Sequence, residues 1–340
     1  MHSSTSNSSS RAPHGPWGRT WLVTVVFVTA LLGAYELWGR SCGFAPRLVD
    51  TPELWCRVRQ TVGTGQPEET VIVGSSRVLC GIDGKAYAEV NGTTPPVHLG
   101  VLGSSPVLFL EDLAETPQFR GTVLCGLTPH VFFHPSRQHH FIAYWKEGPE
   151  AMWRIWEEAL AKPLRSLLAC CSQDMSIRLI GKSILVNKGR VTPAQFVTQP
   201  DRSVRLNIPP SLFEHEKRQR LKQYNVPSPR TEELQEVFAR ITAATQKIRR
   251  RGGQVIFVRM PSVGAMLELE ERLYPRAAYW DELLRRTGEQ GVHFRDYDAL
   301  QGYPCPDRSH LDASARAPFS AALARIVMGL PQNGMTLHAN

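Results

Sequence analysis

The stretch TVIVGSSR, residues 70–77, decides the fold: a short β-branched run, then a glycine, two serines and an arginine. A run of this kind ending in Gly reads as a buried parallel strand, because such strands are covered on both faces and need not alternate. Outward from it, PVHLG (96–100), GTVLCGL (121–127), QVIFVR (254–259) and VHFRDY (292–297) read as four further strands. The clearest helix, TEELQEVFARITAATQKIRRRGG, precedes QVIFVR. It has Thr231 as cap, acidic residues in its first turn, arginines in its last and Gly252-Gly253 as stop. Residues 312–328 read as a closing helix. Strands separated by helical patterns indicate an α/β domain with a central parallel sheet, here over residues 70–330.

The rest of the composition bounds the class. The chain has 340 residues, 39 Lys+Arg against 31 Asp+Glu, 42% hydrophobic residues, 26 Gly and 25 Pro. Collagen-like and wholly disordered readings fail on these values, and the lack of a 20–50-residue period removes solenoids and propellers. Residues 1–20 read as a disordered Ser-rich tail, and 331–340 as a C-terminal tail. Between tail and domain, WLVTVVFVTALLGAYELWG (21–39) carries one charge, Glu36, with Trp21 and Trp38 at its ends. It spans about 30 Å as a helix, which fits a single transmembrane anchor and excludes a multi-span transporter. A signal peptide cleaved near Gly33-Ala34 and a buried core helix are the alternatives; the apolar run continuing to Trp38 favours the anchor. Arg11 and Arg19 before it, and Arg40 and Arg47 after it, leave the positive-inside count tied. Residues 40–69 read as a linker with one short helix near Pro52–Val62.

Cys42 and Cys56 are placed to bridge in an oxidising compartment, whereas Cys80, Cys125, Cys170 and Cys171 read as small buried apolar residues. No Cys/His spacing resembles a metal site, and no cofactor is implied. Residues 131–230 read as a helical insertion into the sheet domain, with Pro149–Leu168 its clearest helix. Residues 161–260 hold 19 Lys+Arg against 7 Asp+Glu. That asymmetry suits an anionic partner such as lipid headgroups or an acidic polysaccharide, or simply a solvated basic face. No nucleic-acid motif accompanies it, so nucleic acid is not an expected partner.

Two short motifs carry chemistry. Gly74-Ser75-Ser76-Arg77 places a serine at the strand-to-helix turn, at the C-terminal edge where open α/β sheets bind ligands. In GYPCPDRSHLD (302–312), Asp307 stands three residues before His310. A carboxylate so placed can hold the imidazole Nδ1 and leave Nε2 to take a proton from a serine. Each motif alone is weak, but loops after the first and last strands of one sheet can converge over the same edge.

With these residues the chain resembles the SGNH (GDSL-like) hydrolase superfamily, and its membrane-anchored DltD-like, polysaccharide O-acetylation-type branch, where G-S-S also replaces G-D-S. The resemblance implies a three-layer, flavodoxin-like domain with Ser76 as nucleophile, His310 as base and Asp307 as its orienter. Ser75 takes the place of the family's Asp. It further implies an oxyanion hole from Ser76, a glycine after the second strand (Gly103 fits the spacing better than Gly100) and a donor after the third. There the family's Asn is missing, and Thr128 stands in. Arg77 and Arg259, both at strand ends, suit an anionic substrate group; a salt bridge is the plainer reading for each. Trp145, Trp153 and Trp156 suit a sugar platform or, at helical spacing, the core.

The implied activity is a serine esterase or O-acyltransferase acting on an extracytoplasmic polysaccharide, a cell-envelope glycan or its precursor. It would be held single-pass in the inner (cytoplasmic) membrane with a periplasmic body. The alternative is a catalytically degenerate domain that binds glycan or a multi-span membrane acyltransferase.

Overall fold

The structure, a computed structural model, describes residues 17–63, 69–133, 140–148, 156, 159, 161–172, 175–186, 195–224 and 227–331. The expectations for the two tails, for Trp153 and for much of the Pro149–Leu168 helix lie wholly or largely outside them. Seven strands are described: β1 (Thr70–Val73), β2 (Val97–His98), β3 (Thr122–Leu127), β4 (Phe196–Thr198), β5 (Val204–Leu206), β6 (Gln254–Arg259) and β7 (Gln290–His293). Five form one sheet in the order β2-β1-β3-β6-β7, every pair parallel. Counted along the chain this is the 2-1-3-4-5 order of a flavodoxin-like doubly wound sheet.

Side chains alternate across this sheet into two cores. Val71, Val73, Val123, Cys125, Val255 and Phe257 face one cluster, which is completed by Trp55, Phe109, Leu110, Phe238 and Ile241. Ile72, Leu124, Ile256, Val258 and Val292 face the other, with Tyr87, Phe319 and Leu323. Both faces are therefore covered by helices, which is why the strands read as unbroken apolar runs. Fully burying each such side chain contributes about 1.5–3 kcal/mol.

Three local expectations change. The short helix expected near Pro52–Val62 is present but ends at Arg59, and it belongs to the core rather than to a linker, with Leu54, Trp55 and Cys56 buried. The Trp55 indole donates to the Leu99 carbonyl at 2.9 Å. The fifth strand begins at Gln290 rather than Val292, and Phe294–Asp296 is a 3-10 turn. The strand's first residues pair with Ile256 and Phe257, and no apolar side chain announces them because a Cβ at Gly291 would run into Trp280 and Leu284. The closing helix begins at Arg316, after turns at 312–315.

The chain divides into two compact units, Met1–Pro46 with Leu167–Pro193, and Arg47–Ser166 with Ala194–Asn340. In the first, Trp17–Ser41 is one 25-residue helix, long and apolar enough to cross a membrane. Its lone acid, Glu36, accepts from the Ala169 and Cys170 amides (3.0 and 2.7 Å) and from Arg40 (2.6 Å). The second unit holds the sheet domain together with the antiparallel β4–β5 hairpin, where Val204 joins Leu79 and Cys80 in a small cluster. None of the described cysteines is in a disulfide, and Cys56 is part of the main core.

The basic stretch 161–260 spends much of its charge inside this domain. Arg202, Arg220, Arg240, Lys247, Arg249 and Arg259 pair with Asp50, Asp307, Glu111, Glu115, Glu289 and Glu270, all outside the stretch. The local asymmetry thus has an internal physical cause.

Candidate active site

Ser76 opens the helix Ser76–Gly81 directly after β1. Small residues at the strand ends let that helix settle onto the sheet. A Cβ at Gly74 or Gly126 would collide with Val78, and one at Gly100 would stand 2.8 Å from the Gly74 carbonyl oxygen.

Asp307 and His310 come from the loop after the last strand. Arg308 between them has φ +68°, a left-handed conformation that costs a non-glycine residue about 1–2 kcal/mol. The turn it makes folds the Asp307 carboxylate back, so that Oδ1 accepts from the Ser309 and His310 amides at 2.9 and 2.8 Å. The other oxygen, Oδ2, lies 2.6 Å from His310 Nδ1. An ionised carboxylate can only accept, so Nδ1 carries the proton and Nε2 is the acceptor. Nε2 lies 2.7 Å from the Ser76 hydroxyl oxygen. Asp307 and His310 are wholly buried, whereas Ser76 keeps 8% of its surface.

Burial pushes the His310 imidazole below its ordinary value; Asp307 opposes this, and the Arg220 and Arg77 charges add to it. Burial alone would raise Asp307, but the His310 ring, Arg220 and the Ser309 amide hold it far below the usual carboxylate range. At neutral pH the histidine is therefore neutral and the aspartate ionised. Such a chain of hydrogen bonds can move a proton from hydroxyl to imidazole and stabilise the cation that forms.

Arg77 and Arg259 meet a partner that the sequence reading did not name. Both guanidinium groups converge on Glu270, a buried carboxylate: Arg259 Nη2 at 2.5 Å, Arg77 through both terminal nitrogens, and the Ser262 hydroxyl at 2.8 Å. Arg77 also donates to the Ser309 hydroxyl from Nε and Nη2, at 3.2 and 3.1 Å. The network therefore reaches from Glu270 to the loop that holds Asp307 and His310. Arg259 and Glu270 also line a cavity of about 360 Å³ with Leu127, Phe133, Trp280 and His293, at the C-terminal ends of β3, β6 and β7.

The residues expected to form an oxyanion hole fall at three strand ends. Ser76 is the first residue of its helix, Thr128 is buried directly after β3, and Gly103 lies in an exposed left-handed turn (φ +68°) after β2. Trp145 packs against the core with the Arg59 guanidinium 5.3 Å from its ring, and Trp156 is exposed.

Two residues of the insertion that sequence reasoning missed complete the site. Arg220, on the helix Phe213–Tyr224, donates from Nε to Asp307 Oδ2 at 3.0 Å. Its guanidinium lies 5.2 Å from the Phe196 ring, and Phe196 meets His310 edge-on at 5.5 Å. Nothing in the sequence separates Arg220 from the other basic residues around it. Glu270 did leave a signal: in AMLELEERL it falls on the apolar stripe Met266, Leu269, Leu273, where a charge needs a buried partner.

No family model matches the chain, and no curated protein matches it. Among solved structures, one described as TesA is similar at 11% identity, covering 76% of this chain and 98% of that one with a TM-score of 0.32. The sheet order and the distances above therefore carry the functional reading.

Proposed function

We propose that the protein is a membrane-anchored, SGNH-like serine esterase or O-acyltransferase. Its substrate would be an acyl ester on an extracytoplasmic polysaccharide, a cell-envelope glycan or its precursor. The observation that carries the chemistry is the Ser76–His310–Asp307 chain at 2.7 and 2.6 Å. The reading of compartment and glycan rests on the family resemblance and on the apolar Trp17–Ser41 helix.

In this mechanism His310 Nε2 takes the Ser76 proton as the oxygen attacks the ester carbonyl. The carbonyl electron pair moves onto oxygen, where the Ser76 amide, with donors from Gly103 and Thr128, receives it. Collapse expels the alcohol, which takes the proton from His310 and leaves an acyl-Ser76. Water or a sugar hydroxyl then attacks by the same route in reverse.

The missing Asn after β3 favours a second reading, a degenerate domain that binds glycan or a multi-span acyltransferase, since one lost oxyanion donor can cost about 10²–10³-fold in rate. Labelling of the detergent-solubilised full chain with a fluorophosphonate probe separates the two. The enzyme reading expects one labelled residue, Ser76, and no labelling of Ser76→Ala. A folded parent that takes no label supports the binding module instead.

A further inference from the structure

We propose that Arg220 is a positioning residue of the triad, through which the basic insertion holds the Asp307 carboxylate in line with His310. The inference rests on the serine-nucleophile reading above.

The geometry is specific to one oxygen. Asp307 Oδ2 accepts both His310 Nδ1 and Arg220 Nε, while Oδ1 accepts two backbone amides. Four donors on a wholly buried carboxylate fix its rotation about the side chain. That rotation sets the plane of the imidazole, and with it the direction of Nε2 toward Ser76. Phe196 acts from the same insertion, its ring 5.2 Å from the Arg220 guanidinium and 5.5 Å from the His310 ring. Four residues beyond Arg220 on the same helix, Tyr224 has its ring 5.8 Å from the Arg77 guanidinium.

A bound cation also acts on the proton balance of His310. The charged and titratable groups around the ring are Asp307 and Cys305 of its own loop, Arg77 and Cys80 of the Ser76 helix, Glu270 behind Arg77, and Arg220. Burial pushes the Cys80 and Cys305 thiols up, so they stay neutral. The Arg77 charge is only partly offset by Glu270, which it shares with Arg259. Arg220 is the stronger of the two cations that oppose Asp307 at the ring, ahead of Arg77. A histidine serves as base only when neutral, so activity rises as pH passes its value. Removing Arg220 lets Asp307 favour the imidazolium, and the acidic limb moves to higher pH.

The test measures the rate of fluorophosphonate labelling of the full chain against pH, for the parent, Arg220→Gln and Arg220→Lys. Arg220→Gln should move the acidic limb up by about one pH unit, which is about a tenfold slower rate below the limb. Above the limb its rate should stay below that of the parent, because the carboxylate has lost one of its four donors. Arg220→Lys keeps the charge and should leave the limb in place. An unmoved limb in folded Arg220→Gln, whether the rate is unchanged or lowered equally at every pH, overturns the role. Should Arg220→Gln not fold, Arg220→Lys decides: a limb displaced as far as one pH unit overturns it. A folded parent without any label overturns the serine reading itself, and Arg220's role with it. A labelled parent with an unmoved limb overturns Arg220 alone.

Discussion

Replacing Glu270 by glutamine removes the one negative charge from between two buried guanidinium groups, Arg77 and Arg259. Burial by itself would raise the Glu270 carboxyl, yet the two arginines and the Ser262 hydroxyl bring it from 4.5 down to about 2. At 1.36 kcal/mol per pH unit, that gap corresponds to about 3 kcal/mol of stability. A second route gives a similar size, since breaking a buried ion pair by removing one partner costs about 3–5 kcal/mol. A depressed carboxyl contributes fully above its unfolded value of 4.5 and loses that contribution as pH falls toward 2.

Urea unfolding of the full chain in mild detergent, followed by tryptophan fluorescence, reads the effect. Glu270→Gln should be less stable than the parent by about 3 kcal/mol at pH 7, a large part of a typical total of about 5–15 kcal/mol. The difference should shrink steadily below pH 4.5, as the parent takes up the proton that the variant never needs. A difference under about 1 kcal/mol at pH 7 would refute the reasoning, because the two arginines would then have found other company. So would a difference of the same size at pH 7 and pH 2.5.

Two further outcomes are expected. Gly126→Ala should destabilise the domain by about 1–3 kcal/mol, since its Cβ meets Val78, and adding Val78→Ala should recover part of that loss; strictly additive unfolding energies would show that the two residues do not meet. A reporter active only outside the cytoplasm, fused after Asn340, should be active, and activity of a cytoplasmic reporter instead would reverse the orientation.

The elements that were legible in the sequence are those whose pattern is local. TVIV, TVLCGL and QVIFVR announce buried strands because both faces are covered, and TEELQEVFARITAATQKIRR announces its helix by its period and terminal charges, although Arg230 rather than Thr231 caps it. The hydrogen-bonded contact of Asp307 with His310 was legible for the same reason, being a spacing of three. Its meeting with Ser76 followed from sheet topology, not from any one window.

What stayed hidden depends on distance along the chain. Arg220 and Asp307 are 87 residues apart, and Arg77 and Glu270 are 193 apart, with no periodicity joining either pair. The charge asymmetry of 161–260 pointed outward when read as a count. Its pairs with Glu111, Asp307 and others became visible only once the sheet had brought those segments together. Gln290-Gly291 carries no apolar side chain to mark a strand, since the side chains that pack there belong to Trp280 and Leu284.

The separation of 234 positions from Ser76 to His310 also sets an order in time. During synthesis Ser76 leaves the ribosome long before His310 does. A chain that stops after His293 has made all five strands of the sheet, with Ser76 already at its edge, and still has no imidazole beside that hydroxyl. A chain released before the 302–312 loop therefore lacks the His310 contact of Ser76. The imidazole reaches that hydroxyl only after all five strands have been made.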